Sequence, residues 1–128
     1  FHNAIRTPRR EICFIDFEYA GWDDPAKSIA DFFCQPAVPV SLDYYSYFES
    51  KVLPLFEEPE RLKLRTRLLW TAYQVKWCCI TLNVFLPVHM ERRRFANPQL
   101  DPLALKRDQL LKAQTLFQTI KDPSYGLH

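Results

Sequence analysis

Two acidic side chains, Asp16 and Glu18, are the residues whose types and spacing best suit metal chemistry in this sequence. They follow the apolar run of residues 12–15, which predicts a buried strand. Because side chains alternate along a strand, Asp16 and Glu18 point to the same side if the strand persists that far. Mg²⁺ takes oxygen ligands, commonly one or two carboxylates with phosphate oxygens and water. The pair could hold such a cation, and a solvated or salt-bridged pair is the alternative that the spacing leaves open.

The elements that must position these carboxylates are a small hairpin and about four helices. Residues 4–6 and 11–17 predict two strands joined by a turn at residues 7–10. A two-stranded sheet is not stable by itself, so the hairpin is expected to pack on the helices or on a segment outside this sequence. The fold predicted from the sequence is therefore mainly α with a small N-terminal β-hairpin.

Capping residues and prolines predict where the helices begin and end. Asp24-Pro25 and Asp101-Pro102 each place a capping carboxylate before a proline in the first helical position. Ser41 is a third cap. The predicted helices cover residues 25–33, 42–53, 60–86 and 102–120, the third being the central core helix and residues 88–100 a linker. The last helix is expected to bury Leu103, Leu110, Leu111, Phe117 and Ile120.

Composition bounds the class of protein. The chain has 128 residues, of which 48% are apolar, so it can bury a core as one domain. It contains only two glycines, which excludes a glycine-rich phosphate loop within it. A net charge of +2 does not imply a nucleic-acid partner. The most apolar stretch, residues 68–86, is interrupted by Gln74, Lys76 and Asn83, so we expect a buried helix and no membrane partner.

The four cysteines predict a reducing compartment. Cys78 and Cys79 are adjacent, a spacing that rarely forms a disulfide, and no Cys/His spacing typical of zinc is present. We therefore expect reduced, mostly buried thiols and a cytoplasmic location. Trp70, Tyr73 and Trp77 lie at helical spacing and are expected to pack in the core.

The segment of residues 15–26, Ile-Asp-Phe-Glu-Tyr-Ala-Gly-Trp-Asp-Asp-Pro-Ala, resembles the metal-binding segment of the aminoglycoside phosphotransferase and choline kinase superfamily. Phe1-His2-Asn3 is similar to the end of the catalytic loop of that superfamily. Residues 76–87 and 92–96 look like the helical C-terminal part of a bacterial branch. The resemblance implies that residues 1–128 are one domain, part of the C-terminal lobe of a protein-kinase-like α+β fold, with the metal-binding part in residues 1–18 and a helical subdomain in residues 24–128.

The resemblance also implies roles for individual residues. Asn3 and Asp16 would hold Mg²⁺ between the phosphates of ATP, and Glu18 would add a further metal contact. The general-base Asp is expected upstream of Phe1, and the N-terminal lobe is missing as well. We therefore expect no catalysis by these 128 residues alone.

The long helix offers candidates for contact with the substrate that accepts the phosphoryl group. Lys76 and Asn83 are seven residues apart and would share a helix face. By the resemblance they would line the acceptor pocket, which these enzymes build from C-lobe helices. A lysine reaching to solvent and an asparagine bonded within the core is the alternative. Residues 92–94, three arginines, could clamp an anionic substrate or form a solvated linker.

One departure from the superfamily pattern lies in the first predicted helix. Many relatives carry an Asp three residues after the Asp-Pro start, where this chain has Ser28, with Asp31 one turn later. The usual bracing of the catalytic loop is therefore in question.

Three functions follow from these residues. The first is the C-terminal part of an ATP- and Mg²⁺-dependent phosphotransferase that acts on a hydroxyl of a small molecule such as an aminoglycoside, choline or a sugar. The second is a catalytically inactive relative or helical interaction module that retains the fold. A metal-dependent hydrolase using Asp16 and Glu18 is the weakest, because no histidine is placed to join them.

Overall fold

The computed structural model describes residues 4–16 and 21–122, and it begins with the predicted hairpin. Strands β1 (Ala4–Arg6) and β2 (Ile12–Phe14) pair antiparallel, with Ala4 opposite Phe14. In the turn, the backbone N–H of Arg10 donates to the Thr7 carbonyl at 2.9 Å. Arg10 adopts a left-handed backbone with φ of 65°, which lets the chain reverse within this short connection.

The strand predicted at residues 12–15 is present as Ile12–Phe14, but the prediction that it is buried is wrong. Ile12, Phe14 and Ile15 are all exposed, as is Ile5 on the facing strand. Burial of a strand requires a layer packed over one face of its sheet. Within the described residues, β1 and β2 contact each other much more extensively than they contact any helix.

Helices make up most of the described chain. The α-helices are α1 (Pro25–Cys34), α2 (Tyr45–Val52), α3 (Pro59–Thr81), α4 (Pro87–Ala96) and α5 (Pro102–Lys121). Short 3-10 segments at Leu42–Tyr44, Leu53–Leu55 and Leu82–Phe85 link several of them. The prediction of a mainly α fold with a small hairpin is confirmed. In the part of the chain that the structure describes, no helix combines the length and hydropathy needed to cross a bilayer.

The core lies where α1 packs on α3. Ala26, Ile29, Ala30 and Phe33 of α1 are buried at spacings of three and four, the pattern of one helix face. Trp70 is buried opposite them on α3. The predicted core role of Trp70 is confirmed, and Tyr73 and Trp77 are partly buried against the same cluster. As predicted, α3 is the central helix, since it contacts both α1 and α5.

The predicted caps are present. Asp24 accepts from the Ala26 backbone N–H at 2.9 Å, and Asp101 accepts from Leu103 and Ala104. Ser41 also acts as a cap, but the segment it begins is the 3-10 turn Leu42–Tyr44, and α2 starts only at Tyr45.

The prediction of one helix over residues 60–86 is wrong at its C-terminal end. Helix α3 ends at Thr81, and the tighter 3-10 segment follows before Leu86 adopts an extended backbone. The residue before a proline is sterically disfavoured from the helical region, and Pro87 begins the next helix. Residues 88–100 are accordingly not a linker: most of them belong to α4.

Two predictions of burial are also wrong. Leu103, Leu110, Leu111 and Phe117 of α5 are exposed, because the face of α5 that meets α3 is centred on Ala113 instead. Of the four cysteines, which are free thiols, Cys34 is buried and Cys78 is half-buried, whereas Cys13 and Cys79 are exposed.

Candidate functional site

Asp16 lies just beyond the end of β2 and has an unusual backbone. Its φ is 63°, in the left-handed region that residues other than glycine seldom occupy. Aspartate tolerates this region better than most residues because its short polar side chain can hydrogen-bond locally. The residue is exposed. Its charge and hard oxygen atoms suit Mg²⁺.

The other two predicted metal ligands, Asn3 and Glu18, lie outside the described residues, and their part in the site stays a prediction. Among residues 4–16 and 21–122, no group of three or more histidine, cysteine, aspartate or glutamate side chains is arranged to hold a metal ion. Of the predicted ligand set, Asp16 is therefore the residue whose geometry the structure describes.

The segment that follows leads into α1 through two neighbouring aspartates. Asp24 caps α1 and also accepts from Arg65 Nη2 of α3 at 2.6 Å. Asp23 pairs with Lys27 one turn into α1. The hydrogen bond from Lys27 and that from the Asp24 backbone hold the pKa of Asp23 below its usual value, and the same ion pair raises the pKa of Lys27. The start of α1 is thus held by a local ion pair and by a contact with α3.

Asp31 sits towards the other end of α1 and makes a second attachment to α3. Its Oδ1 and Oδ2 atoms lie 2.7 and 2.8 Å from Lys76 Nζ, and Trp77 Nε1 donates to Oδ1 at 2.9 Å. The Lys76 ammonium also lies 5.4 Å from the ring centre of Tyr73. Burial, followed by the charge of Asp31, raises the pKa of Tyr73.

The structure does not bring the two predicted acceptor-binding residues together on one α-helical face. Lys76 is on α3 and is bonded to Asp31, whereas Asn83 lies beyond the end of α3 in the 3-10 segment Leu82–Phe85. The Asn83 backbone carbonyl accepts from the Leu86 N–H at 3.0 Å. Cavities of the described part of the chain include four of about 310, 410, 450 and 500 Å³, and neither Lys76 nor Asn83 lines any of these four.

Sequence reasoning did not find Arg65 or Trp77 as partners of the α1 carboxylates. Arg65 is 41 residues from Asp24, and Trp77 is 46 residues from Asp31. Sequence distances of this size carry no periodic signal. The superfamily pattern that residues 15–26 resemble has an aspartate where this chain has Ser28. That difference is the sequence signal that points to Asp31, which lies one turn later.

Three of these four cavities include a residue of α1, and the two larger ones are the following. The one of about 500 Å³ is lined by residues 21–23, by the α1 residues Ser28 and Phe32, and by Phe48 of α2. The rings of Phe32 and Phe48 are stacked, with centres 4.9 Å apart. A cavity of this volume with mostly apolar walls and few polar groups fits a small organic molecule.

The second cavity beside α1, of about 450 Å³, lies at the C-terminal end of the helix and includes Cys34 and Gln74. Burial raises the pKa of the Cys34 thiol to about 12. The thiol is therefore protonated at neutral pH, and a protonated thiol is a poor nucleophile and metal ligand.

Comparison of the chain with models of known protein families, with curated proteins and with solved structures finds no match. The residues themselves therefore carry the functional argument.

Proposed function

We propose that this chain is the C-terminal part of an ATP- and Mg²⁺-dependent phosphotransferase that phosphorylates a hydroxyl group of a small molecule. The observation that carries the proposal is the left-handed backbone of Asp16 at the exit of β2. Few residues other than glycine adopt this conformation, aspartate more readily than most, and unusual backbones of this kind cluster at functional sites. The resemblance of residues 15–26 to a metal-binding segment falls on this same residue.

The chemistry requires charge neutralisation more than covalent participation. The transferred phosphoryl group is highly charged, and bound Mg²⁺ would offset that charge while orienting the phosphate oxygens. Asp16 would supply a carboxylate ligand, Asn3 an amide oxygen, and Glu18 a further oxygen. On this proposal the general base and the lobe that covers ATP would be supplied by a longer parent protein, and the 128 residues alone would have no activity.

The surroundings of α1 are compatible with this role. Asp24 and Asp31 attach both ends of α1 to α3, so the segment that follows Asp16 enters a braced helix. The cavity lined by residues 21–23 lies against that same segment and has room for an organic acceptor. Its position along the chain makes it a better candidate for the acceptor than Lys76 and Asn83.

The test uses the parent protein and two substitutions of Asp16. Asp16→Ala removes the carboxylate and also disfavours the left-handed backbone, whereas Asp16→Asn keeps a side chain that tolerates it. We expect both variants to lose about 100-fold or more of the Mg²⁺-dependent ATP turnover, because a metal ligand supports several kcal/mol of transition-state stabilisation. Turnover is measured with a panel of hydroxylated acceptors over a titration of Mg²⁺.

Asp43→Asn is the matched control, since Asp43 is an aspartate of the 3-10 turn Leu42–Tyr44, distant in sequence from β2. Unchanged turnover in Asp16→Asn would disprove the metal assignment. A parent protein that folds but turns over no ATP with any acceptor would favour the alternative of an inactive relative or helical interaction module.

A further inference from the structure

Aromatic side chains are prominent in the walls of the cavity of about 500 Å³ beside α1. Four of them line it: Trp22, Phe32, Phe48 and Phe56. The rings of Phe32 and Phe48 stack with their centres 4.9 Å apart. Trp22 is fully exposed and Phe56 is 38% exposed. These two side chains therefore retain apolar surface that a molecule bound in the cavity would remove from water.

A flat ring suits these walls better than an aliphatic chain or a sugar does. Aromatic pairs in offset-stacked or edge-to-face contact attract each other beyond the effect of the apolar area that they bury. The stacked Phe32 and Phe48 already present rings at this wall in such a geometry. The volume of the cavity is in the range that holds small organic ligands, so a ring with a hydroxyl-bearing arm fits.

The charge on the walls of this cavity is already compensated. Among the described residues that line it, Asp23 is the one with a charged side chain. Asp23 Oδ1 accepts from the Asp24 backbone N–H at 2.8 Å, and Oδ2 pairs with Lys27. Ser28 contributes a neutral hydroxyl. A charged acceptor would lose hydration here without gaining a counter-charge that is not already engaged, so the walls favour an uncharged one.

We propose that the acceptor bound in this cavity is an uncharged alcohol that carries an aromatic ring. The inference rests on the proposed function, since it names the substrate class of the same phosphotransferase. Gly21, the first lining residue, follows Asp16 by five residues, so the chain separates the two by no more than about 18 Å.

The transfer itself would follow the usual course of phosphoryl transfer. The hydroxyl oxygen of the alcohol attacks the γ-phosphorus of ATP, and the new P–O bond forms as the bond to the β-phosphate oxygen breaks. The hydroxyl proton goes to the general base of the parent protein, and ADP leaves. The cavity contributes binding and orientation of the ring, which places the hydroxyl for attack.

Binding is tested first without ATP, by NMR titration of the backbone amides of residues 21–33. The probes are phenethyl alcohol, choline and glucose, which are an aromatic, a cationic and a sugar alcohol. We expect phenethyl alcohol to shift these amides and to bind about tenfold more tightly than choline or glucose. Trp22→Ser should weaken its binding about fivefold, the usual effect of losing one aromatic contact. Phe95→Ser is the matched control, because Phe95 is an exposed aromatic residue of α4 outside this lining.

A pair of substitutions at Ser28 tests the requirement for an uncharged acceptor. Ser28→Asp adds a second carboxylate to the wall, whereas Ser28→Asn adds a side chain of the same size without charge. We expect Ser28→Asp to bind phenethyl alcohol about fivefold more weakly than Ser28→Asn, because the ring would displace water from the new carboxylate. Equal binding by the two variants would overturn that requirement. Circular dichroism should show that every variant is folded.

Three further results would overturn the inference as a whole. They are tighter binding of choline or glucose than of phenethyl alcohol, no binding of any probe, and equal losses in Trp22→Ser and Phe95→Ser.

Turnover by the parent protein separates this inference from the proposed function. ATP turnover with choline or sugars but not with phenethyl alcohol would disprove the aromatic acceptor and leave the phosphotransferase in place. Binding of phenethyl alcohol at residues 21–33 without ATP turnover on any alcohol would disprove the phosphotransferase and leave the cavity as a binding site for aromatic compounds. Turnover with phenethyl alcohol, with a KM that Trp22→Ser raises while kcat is unchanged, is the result that we expect.

Discussion

Helices α1 and α5 begin with the same capping sequence but differ in how much of each helix is buried. Each starts with an aspartate cap followed by a proline, at Asp24-Pro25 and Asp101-Pro102. Half of the ten residues of α1 are buried, whereas α5 has twenty residues and buries Ala113 alone. A capping signal thus sets where a helix begins and carries no information on what the helix packs against.

The contrast arises from the neighbours of each helix. Helix α1 packs along α3, and its aromatic face also meets α2: the Phe33 ring lies 5.2 Å from both the Tyr45 and the Phe48 rings. Helix α5 contacts α3 and the 3-10 segment Leu82–Phe85 along one side. The buried side of α5 is small because the residue centred there is an alanine, which allows close approach but removes little apolar area from water.

The largest change in stability is expected from removing an aromatic ring in each environment. Phe33→Ala in α1 should lower the free energy of unfolding by about 3–5 kcal/mol, since it leaves a cavity in a packed cluster. Phe95→Ala on the outer side of α4, the helix before α5, should change it by about 0.5 kcal/mol or less. Urea denaturation of the protein measures both. A loss at position 95 as large as that at position 33 would show that the outer side of α4 is covered in the folded protein.

A smaller effect is expected from the two caps. Asp101→Ala should lower the free energy of unfolding by about 1 kcal/mol, the usual cost of losing a cap. Asp24→Ala should cost more, because Asp24 also accepts from Arg65 of α3. Arg65→Met separates the two contributions, since it removes the link to α3 and leaves the cap in place. If Asp24→Ala and Asp101→Ala lower the free energy of unfolding equally, the Arg65 contact contributes nothing to stability.

The smallest effect concerns two matched ion pairs. Asp23 pairs with Lys27 at the start of α1, and Asp108 pairs with Lys112 on α5, both at a spacing of four residues. The hydrogen bond from each lysine holds the pKa of its aspartate below the usual 3.8. A lowered pKa in the folded state means that each pair stabilises the protein above pH 3.8 and loses that contribution as the pH falls through the folded-state value.

Carboxyl titration by NMR checks this prediction. Both aspartates should titrate below 3.8, and Lys27→Gln should raise the midpoint of Asp23 while leaving that of Asp108 unchanged. Similar behaviour of the two pairs would show that local electrostatics is alike in two helices whose packing differs. A shift of Asp108 in the Lys27 variant would mean that the two helices are coupled, contrary to the contacts described.

The candidate site shows the same division between local and distant information. The hairpin, the caps and the position of Asp16 after β2 follow from short runs of residues. The ion pair of Asp31 with Lys76 joins residues 45 apart, and it gives a structural partner to a lysine that was predicted to contact the substrate. Lys76 and Asn83 are seven residues apart, a spacing that predicts a shared face only if one helix continues through both. Helix α3 ends at Thr81, before it reaches Asn83.

Short-range sequence features were enough to predict the class of fold, the starts of α1 and α5, the turn at residues 7–10 and the central place of α3. Each of these follows from side chains within a few residues of one another, acting through capping, proline geometry and apolar periodicity. Three further properties emerge from the packing of distant segments: residues 12–15 are exposed, α1 is braced to α3 at both ends, and α4 and α5 expose large apolar side chains such as Phe95 and Leu103. Burial depends on which surfaces meet, and that outcome is a property of the whole chain.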